Sequence, residues 1–201
     1  MARGLQGAGI QTALIEPGEA GARNAWQSGV RPVICSTLQQ SGFSDASLGG
    51  VGAFDVVEHI ENDLEFLQSM RACIKPGGRV FITVPAYKWL WSSEDVDAGH
   101  YRRYTPASLC RVMQNAGFQV EYCTGLFAWL PLPIAIFRAS WSPFGITRKN
   151  VRDKLKADHR LPGGMPGQLL RSLLEAEFKR IAGGQRMPIG SSLLAVGRVS
   201  V

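Results

Sequence analysis

The sequence predicts an α/β fold with a mostly parallel sheet and an antiparallel last strand. Short apolar runs alternate with stretches of helical periodicity almost throughout, as when strands are joined by crossover helices. Pro and Gly mark the breaks, at Pro17-Gly18, Pro76-Gly77-Gly78 and Gly117. Only the order of elements near the end departs from the parallel pattern, which makes the last strand the antiparallel one.

The elements follow in order. Thr12 to Glu16 reads as a short buried strand closing on an acid, broken by Pro17-Gly18. Glu19 to Trp26 reads as a helix, and Pro32 to Cys35 and Val51 to Val57 as further apolar runs, the second interrupted by Asp55. Asn62 with Glu65 three residues on has capping-box spacing. The helix it opens places Leu64, Leu67, Arg71 and Ile74 on one face, with Phe66, Met70 and Cys73 beside them, and Pro76-Gly77-Gly78 is expected to end it. Arg79 to Val84 is rich in β-branched residues, as strands are. Pro85 to Tyr104 reads as a long loop. Thr105-Pro106 opens a helix with Pro at its first position, and Gly117 closes it before a strand from Phe118 to Cys123. Arg148 to Arg160 reads as a solvated helix, and Leu161 to Gly167 as a break. Leu170, Leu173, Leu174, Phe178 and Ile181 fall on one helix face, and Ser192 to Val199 forms the last strand.

Composition narrows the classes. The 201 residues fit one domain, or one with an appendage. A 45% hydrophobic and 19% charged chain has material for a core, which excludes wholesale disorder. The 23 Gly and 11 Pro follow no period, which excludes collagen and repeat arrays. The net charge of +6 favours anionic partners. Cys35, Cys73, Cys110 and Cys123 make no zinc spacing, and the N-terminus reads as no secretory signal, so free thiols in the cytoplasm are expected. The longest apolar run, Gly125 to Phe137, is interrupted by Pro131 and Pro133 and falls short of the ~20 residues of a membrane span. A peripheral membrane contact passes that test.

Three constellations could carry chemistry. Glu16, closing a strand before a helix, could accept two hydrogen bonds from a ribose diol, or be a solvated acid stabilised by the helix dipole. Asp55, Glu58 and His59 have spacings that share one side of a helical turn and could hold a divalent cation or share a proton. The same three residues could equally be capping acids and a packed His at a strand-to-helix junction, the reading that spacing alone favours. Gly99-His-Tyr-Arg-Arg-Tyr104 offers a base in His100 and two cations, Arg102 and Arg103, able to clamp an anion bidentately. It could also be an Arg/Tyr-rich turn packed on the sheet edge; we favour the functional reading. Trp89 and Trp91 could line a pocket or fill the core. Leu126 to Phe137 reads better as a buried connection than as a membrane anchor.

Together, Ala53-Phe-Asp-Val-Val-Glu-His-Ile60, Lys75-Pro-Gly-Gly78, Ile82-Thr-Val-Pro-Ala86, Gly99-His-Tyr-Arg-Arg-Tyr-Thr105 and Ala116-Gly-Phe118 resemble a class I S-adenosylmethionine-dependent methyltransferase. The resemblance covers roughly residues 2–125 and the final strand. It implies a Rossmann-like core in residues 1–125, a helical and apolar insertion in 126–185 and a final core strand in 186–201. It implies S-adenosylmethionine as cofactor, with Glu16 on its ribose hydroxyls, Thr37 and Leu38 beside its adenine and Asp55 near its methionine end; Ser36 stands where the family often has an acid. A subgroup of ubiquinone-pathway and small-RNA 3′-end methyltransferases binds a divalent metal through an acid-x-x-Glu-His element and a later His. The matching residues are Asp55, Glu58, His59 and His100, with Mg²⁺ as the implied ion and His59 and His100 as the implied catalytic pair. Trp89, Tyr101 and Arg102 would face an acceptor that is hydrophobic and anionic, such as a quinone precursor or lipid-linked intermediate. An RNA acceptor ranks last.

The family's Gly-rich loop and preceding first strand should stand about 20 residues before Glu16. Gly7-Ala8-Gly9 is followed at once by Thr12 and is not that loop. The expectation is therefore a sheet without its first strand, which in the family lies mid-sheet, and a rival reading as a catalytically inactive relative.

Overall fold

The computed structural model describes residues 1–131 and 164–201. The elements are α1 (Ala2–Gly7), β1 (Leu14–Ile15), α2 (Glu19–Gln27), β2 (Val33–Ile34), β3 (Leu48–Phe54), α3 (Asp63–Cys73) and β4 (Ile74–Pro85). They continue with α4 (Ser93–Asp97), α5 (Pro106–Asn115), β5 (Phe118–Leu126), α6 (Gly164–Ala182) and β6 (Ser192–Val199). Single 3₁₀ turns stand at Val57–His59 and Lys88–Leu90.

The strands form two sheets. β1 pairs with β2 in parallel, and a four-stranded sheet runs β3-β4-β6-β5. β3 is parallel to β4, and β6 is antiparallel to both of its neighbours. This is the expected α/β class with an antiparallel last strand. The break between β1 and β3 falls where the sequence reading leaves a strand out.

The core lies on the four-stranded sheet. Alternate residues of β6 are buried, the period-2 pattern of a half-covered strand. Val80, Ile82 and Val84 of β4 pack against Leu67 and Met70 of α3 and Leu109 and Met113 of α5 within one cluster. Their burial removes apolar surface from water at about 25 cal/mol per Å². α5 lies close to β6 at Gly197, where a Cβ would stand 2.9 Å from Met113 Cε and 3.1 Å from Val80 Cγ1. The helix caps match their sequence signals. Asn62 accepts from the Glu65 amide, and Thr105 and Ser108 form a reciprocal capping box. Gly117 has a φ of 87°, a left-handed value that glycine adopts without strain.

Several expectations need correction. α3 ends at Cys73, because Ile74 already pairs with Leu48 in the ladder. Pro76-Gly77-Gly78 instead lies inside β4, where the register shifts before Gly50 meets Arg79. The stretch after Pro85 is not a bare loop: it holds the Lys88–Leu90 turn and α4, the latter opened by a Ser92/Asp95 capping box. β1 and β2 are only two residues each and half-buried. On α6, Leu173 and Phe178 are exposed, and the buried stripe they were expected to join contains Glu177 instead. The basic stretch Arg148 to Arg160 and the end of the apolar run, Leu132 to Phe137, lie outside the described residues.

Candidate functional site

The site gathers at the carboxyl ends of β1 to β4, where open α/β sheets bind ligands. A cavity of about 460 Å³ lies between the two sheets. Glu16 enters it from the end of β1, Ser36, Thr37 and Leu38 from the loop after β2, and Val51 to Ala53 from the edge of β3. Val56 and Ile60 flank the 3₁₀ turn and also line it, while Phe66 and Met70 of α3 add apolar walls. Glu16 Oε1 accepts from the Gly18 amide at 2.9 Å. Glycine at position 21 makes room for this acid, since a Cβ there would lie 2.8 Å from Glu16 Cδ. A nucleoside fits this chemistry, with apolar walls for the base and a carboxylate for the diol.

The second part is a cluster of bases. Glu58, His59 and His100 bring one ligand atom each to within 4.8 Å of one another. The His59 and His100 rings meet edge-on, with centroids 4.6 Å apart. Glu58 is 1% exposed, and its Oε2 has no hydrogen-bond partner. Burial pushes its pKa from the ordinary 4.5 up to about 7, with the Asp55 charge adding to the rise. Asp55 stands outside the group of three; its backbone has a φ of 53°, and its Oδ1 accepts from Thr83 Oγ1 at 3.2 Å.

Buried acids brace the loop that carries His100. Asp95, 1% exposed, meets His100 Nδ1 at 2.9 Å and takes a two-pronged pair from Arg103, at 2.7 and 3.0 Å. Burial alone would raise its pKa, but the hydrogen bonds from Arg103, His100 and the Ser92 amide hold it down at about 2. With Nδ1 engaged, His100 Nε2 is the ring nitrogen left for a proton or ligand. Arg102 pairs with Asp63 at 2.8 Å and donates to the Glu61 carbonyl. Tyr104 donates to the same Asp63 at 2.7 Å, and burial and that bond push its pKa far up.

Each expected residue therefore has a place. Glu16, Thr37 and Leu38 line one cavity, and Glu58, His59 and His100 converge. Asp55 joins neither group directly. Arg102 and Arg103 are engaged by acids of the chain itself, which corrects the reading of a free bidentate anion clamp. Trp89 and Tyr101 are 53% and 54% exposed, and Trp89 stacks on Tyr87 with centroids 5.9 Å apart. Sequence reasoning missed Asp95, although Ser92-x-x-Asp95 carries the capping-box spacing that marks it. It also missed the Asp63–Tyr104 contact, for which residues 41 apart carry no local signal.

Residues 1–122 match the family described as a methyltransferase domain. The chain belongs to that family. A Mycolicibacterium smegmatis (strain ATCC 700084 / mc(2)155) protein described as a probable S-adenosylmethionine-dependent methyltransferase is 29% identical over 85 residues. The match covers 41% of this chain and 33% of the relative, so this methyltransferase domain matches about a third of that protein's length. A Haloferax volcanii protein described as a methyltransferase, solved with the Trm112 methyltransferase activator, superposes with a TM-score of 0.61 at 15% identity. The superposition covers 99% of this chain and 76% of that one. A SAM-dependent methyltransferase from Archaeoglobus fulgidus gives 0.60 at 15% identity, covering 98% and 79%. At these identities the two structures establish the fold of the methyltransferase domain.

Proposed function

We propose that this chain is an S-adenosylmethionine-dependent methyltransferase acting on an oxygen or nitrogen of a hydrophobic acceptor. One observation carries the reading: the segment Val56–Ile60 supplies two walls of the Glu16 cavity and, between them, Glu58 and His59 of the basic cluster. Nucleoside binding and proton removal thus share one turn of chain.

When bound, the cofactor supplies an electrophilic methyl group. Glu16 would hold the ribose diol, and Thr37 and Leu38 would border the base. His59 or His100 would take the acceptor's proton, with Asp95 orienting His100 and stabilising its imidazolium. Exposed Trp89 and Tyr101 would offer aromatic surface to the acceptor. Most of the rate gain in such a reaction comes from alignment of two bound reactants.

A second reading rests on the converging Glu58, His59 and His100. They offer the nitrogen and oxygen donors that a divalent cation takes, which would lower an acceptor hydroxyl's pKa. Asp55 is not part of that set.

Calorimetry with S-adenosylmethionine tests the first reading. Binding is expected, and Glu16→Ala should weaken it about tenfold or more, since hydrogen bonds to a charged group contribute about 1.5–3 kcal/mol. No heat of binding, or equal binding by the variant, would remove Glu16 from the role. Addition of Mg²⁺ and of a chelator to a methyl-transfer assay tests the second, which fails if neither changes the rate.

A further inference from the structure

His59 and His100 stand 41 residues apart in sequence, yet their rings meet edge-on with centroids 4.6 Å apart. The 3₁₀ turn before α3 carries one, and the stretch between α4 and α5 carries the other. Asp95 does not set this spacing. It is bound to His100, to Arg103 and to the Ser92 amide, and Arg103 donates onward to the Ala86 carbonyl at 3.1 Å. Those bonds fix the His100 stretch to α4 and to the end of β4, not to the turn that carries His59.

Asp63 makes the crossing contact. It is the first residue of α3, where the helix dipole favours a negative charge. Its carboxylate pairs with Arg102 at 2.8 Å and accepts from the Tyr104 hydroxyl at 2.7 Å. Two bonds to backbone run beside it: Arg102 donates to the Glu61 carbonyl, and the Tyr101 amide donates to the Glu58 carbonyl at 2.8 Å. Tyr104 is itself held firmly. It is 3% exposed, its amide donates to the Pro85 carbonyl at 3.0 Å, and its carbonyl accepts from the Tyr87 amide at 2.7 Å. A buried hydroxyl without an acceptor is costly, so Tyr104 and Asp63 hold each other in place. Asn62 and Glu65 of the same helical turn line the Glu16 cavity, and Asp63 does not.

We infer that Asp63 is a positioning residue of this site: through Arg102 and Tyr104 it sets the distance between His59 and His100. The inference rests on the proton-removing role proposed above for those two side chains. The two acids then divide the work. Asp95 decides which ring nitrogen of His100 is free, and Asp63 decides where that ring stands relative to His59. Such support matters because a misplacement of about 1 Å can cost about 100-fold in rate.

Nuclear magnetic resonance of the whole chain with ring-labelled histidine tests it, since the sequence holds three His. The parent should show a cross-relaxation peak between the His59 and His100 rings. Asp63→Ala should lose that peak, with S-adenosylmethionine binding near the parent's, because Asp63 lies outside the cavity lining. Arg102→Met removes one of the two contacts and should weaken the peak. Gly197→Ala, which strains the α5–β6 packing instead, should lower the melting temperature and keep the peak. A peak unchanged in Asp63→Ala, or in Arg102→Met if the first variant does not fold, would overturn the inference. So would a parent without the peak. Loss of the peak in Gly197→Ala would overturn it too, since the ring pair would then follow overall stability. A parent that shows the peak, and loses it in Asp63→Ala, but binds no S-adenosylmethionine would strike the proposed function and leave the positioning role standing. Binding with a peak indifferent to Asp63 would strike this inference alone.

Discussion

Glu58 sits under two opposed demands. Its carboxyl is buried with one oxygen unpartnered, yet it stands beside two imidazoles that suit a charge. Its folded pKa near 7 lies above the ordinary 4.5, so the folded state binds the proton more tightly than the unfolded chain. Stability is then full below pH 4.5 and is lost as pH rises through 7, by about 3–4 kcal/mol in all at one pKa unit per ~1.4 kcal/mol. In metal-free protein, Glu58→Gln should recover about 1–2 kcal/mol of that loss at about pH 8 and nothing below pH 4.5, as urea melts at the two values would show. Asp95 has the opposite sign. Its pKa is depressed to about 2, so its contribution is present above 3.8 and fades as pH falls through 2. Asp95→Asn would leave the Arg103 guanidinium half-paired in a nearly closed site. The expected cost is about 3–5 kcal/mol, the range for breaking a buried pair, read as a lowered denaturant midpoint. It should also release the His100 ring, visible as altered imidazole resonances.

The elements whose ends carry local chemistry were the legible ones. Asn62 with Glu65, and Thr105-Pro106 with Gly117, mark α3 and α5, because a cap is a contact between residues three or four apart. Thr105→Ala should cost about 1 kcal/mol, checked by thermal melting. The Arg79 to Val84 strand was legible for a similar reason, as β-branched side chains suit a pleated, packed surface. The end of α3 was misplaced because the ladder with β3 takes Ile74 before Pro76 can act as a breaker. Glu177 defeated the apolar reading of α6, since its partners are backbone amides about 50 residues away, invisible to a periodicity argument. Within the site, Glu16, Glu58, His59 and His100 were legible as residue types in a pattern. The engagement of Arg102 by Asp63 was not, as it arises only once α3 and the loop after β4 are packed together. Gly197 is a close approach that no turn signal announces. Gly197→Ala should cost about 1–3 kcal/mol by pressing α5 off β6, with α5 amides losing protection first.

At the scale of the whole molecule the two sheets divide the work. The four-stranded sheet holds the core and the basic cluster, while β1 and β2 carry Glu16 and the loop with Thr37 and Leu38. No described strand joins them, so the cavity is bounded on one side by the backbone of β3. Among the described residues no helix is long and apolar enough to cross a membrane. The unpaired side of β3 has a kinetic signature. Asp55 donates its amide to Thr83 in β4, so the two-residue period of a strand aims the Val51 and Ala53 amides the same way and turns those of Gly52 and Phe54 outward. In deuterated water this single strand should keep two clocks, with Gly52 and Phe54 exchanging early and Val51 and Ala53 only on global opening. A ligand that fills the cavity along β3 would slow the early pair and leave the late pair unchanged, so the strand itself would report occupancy without a label.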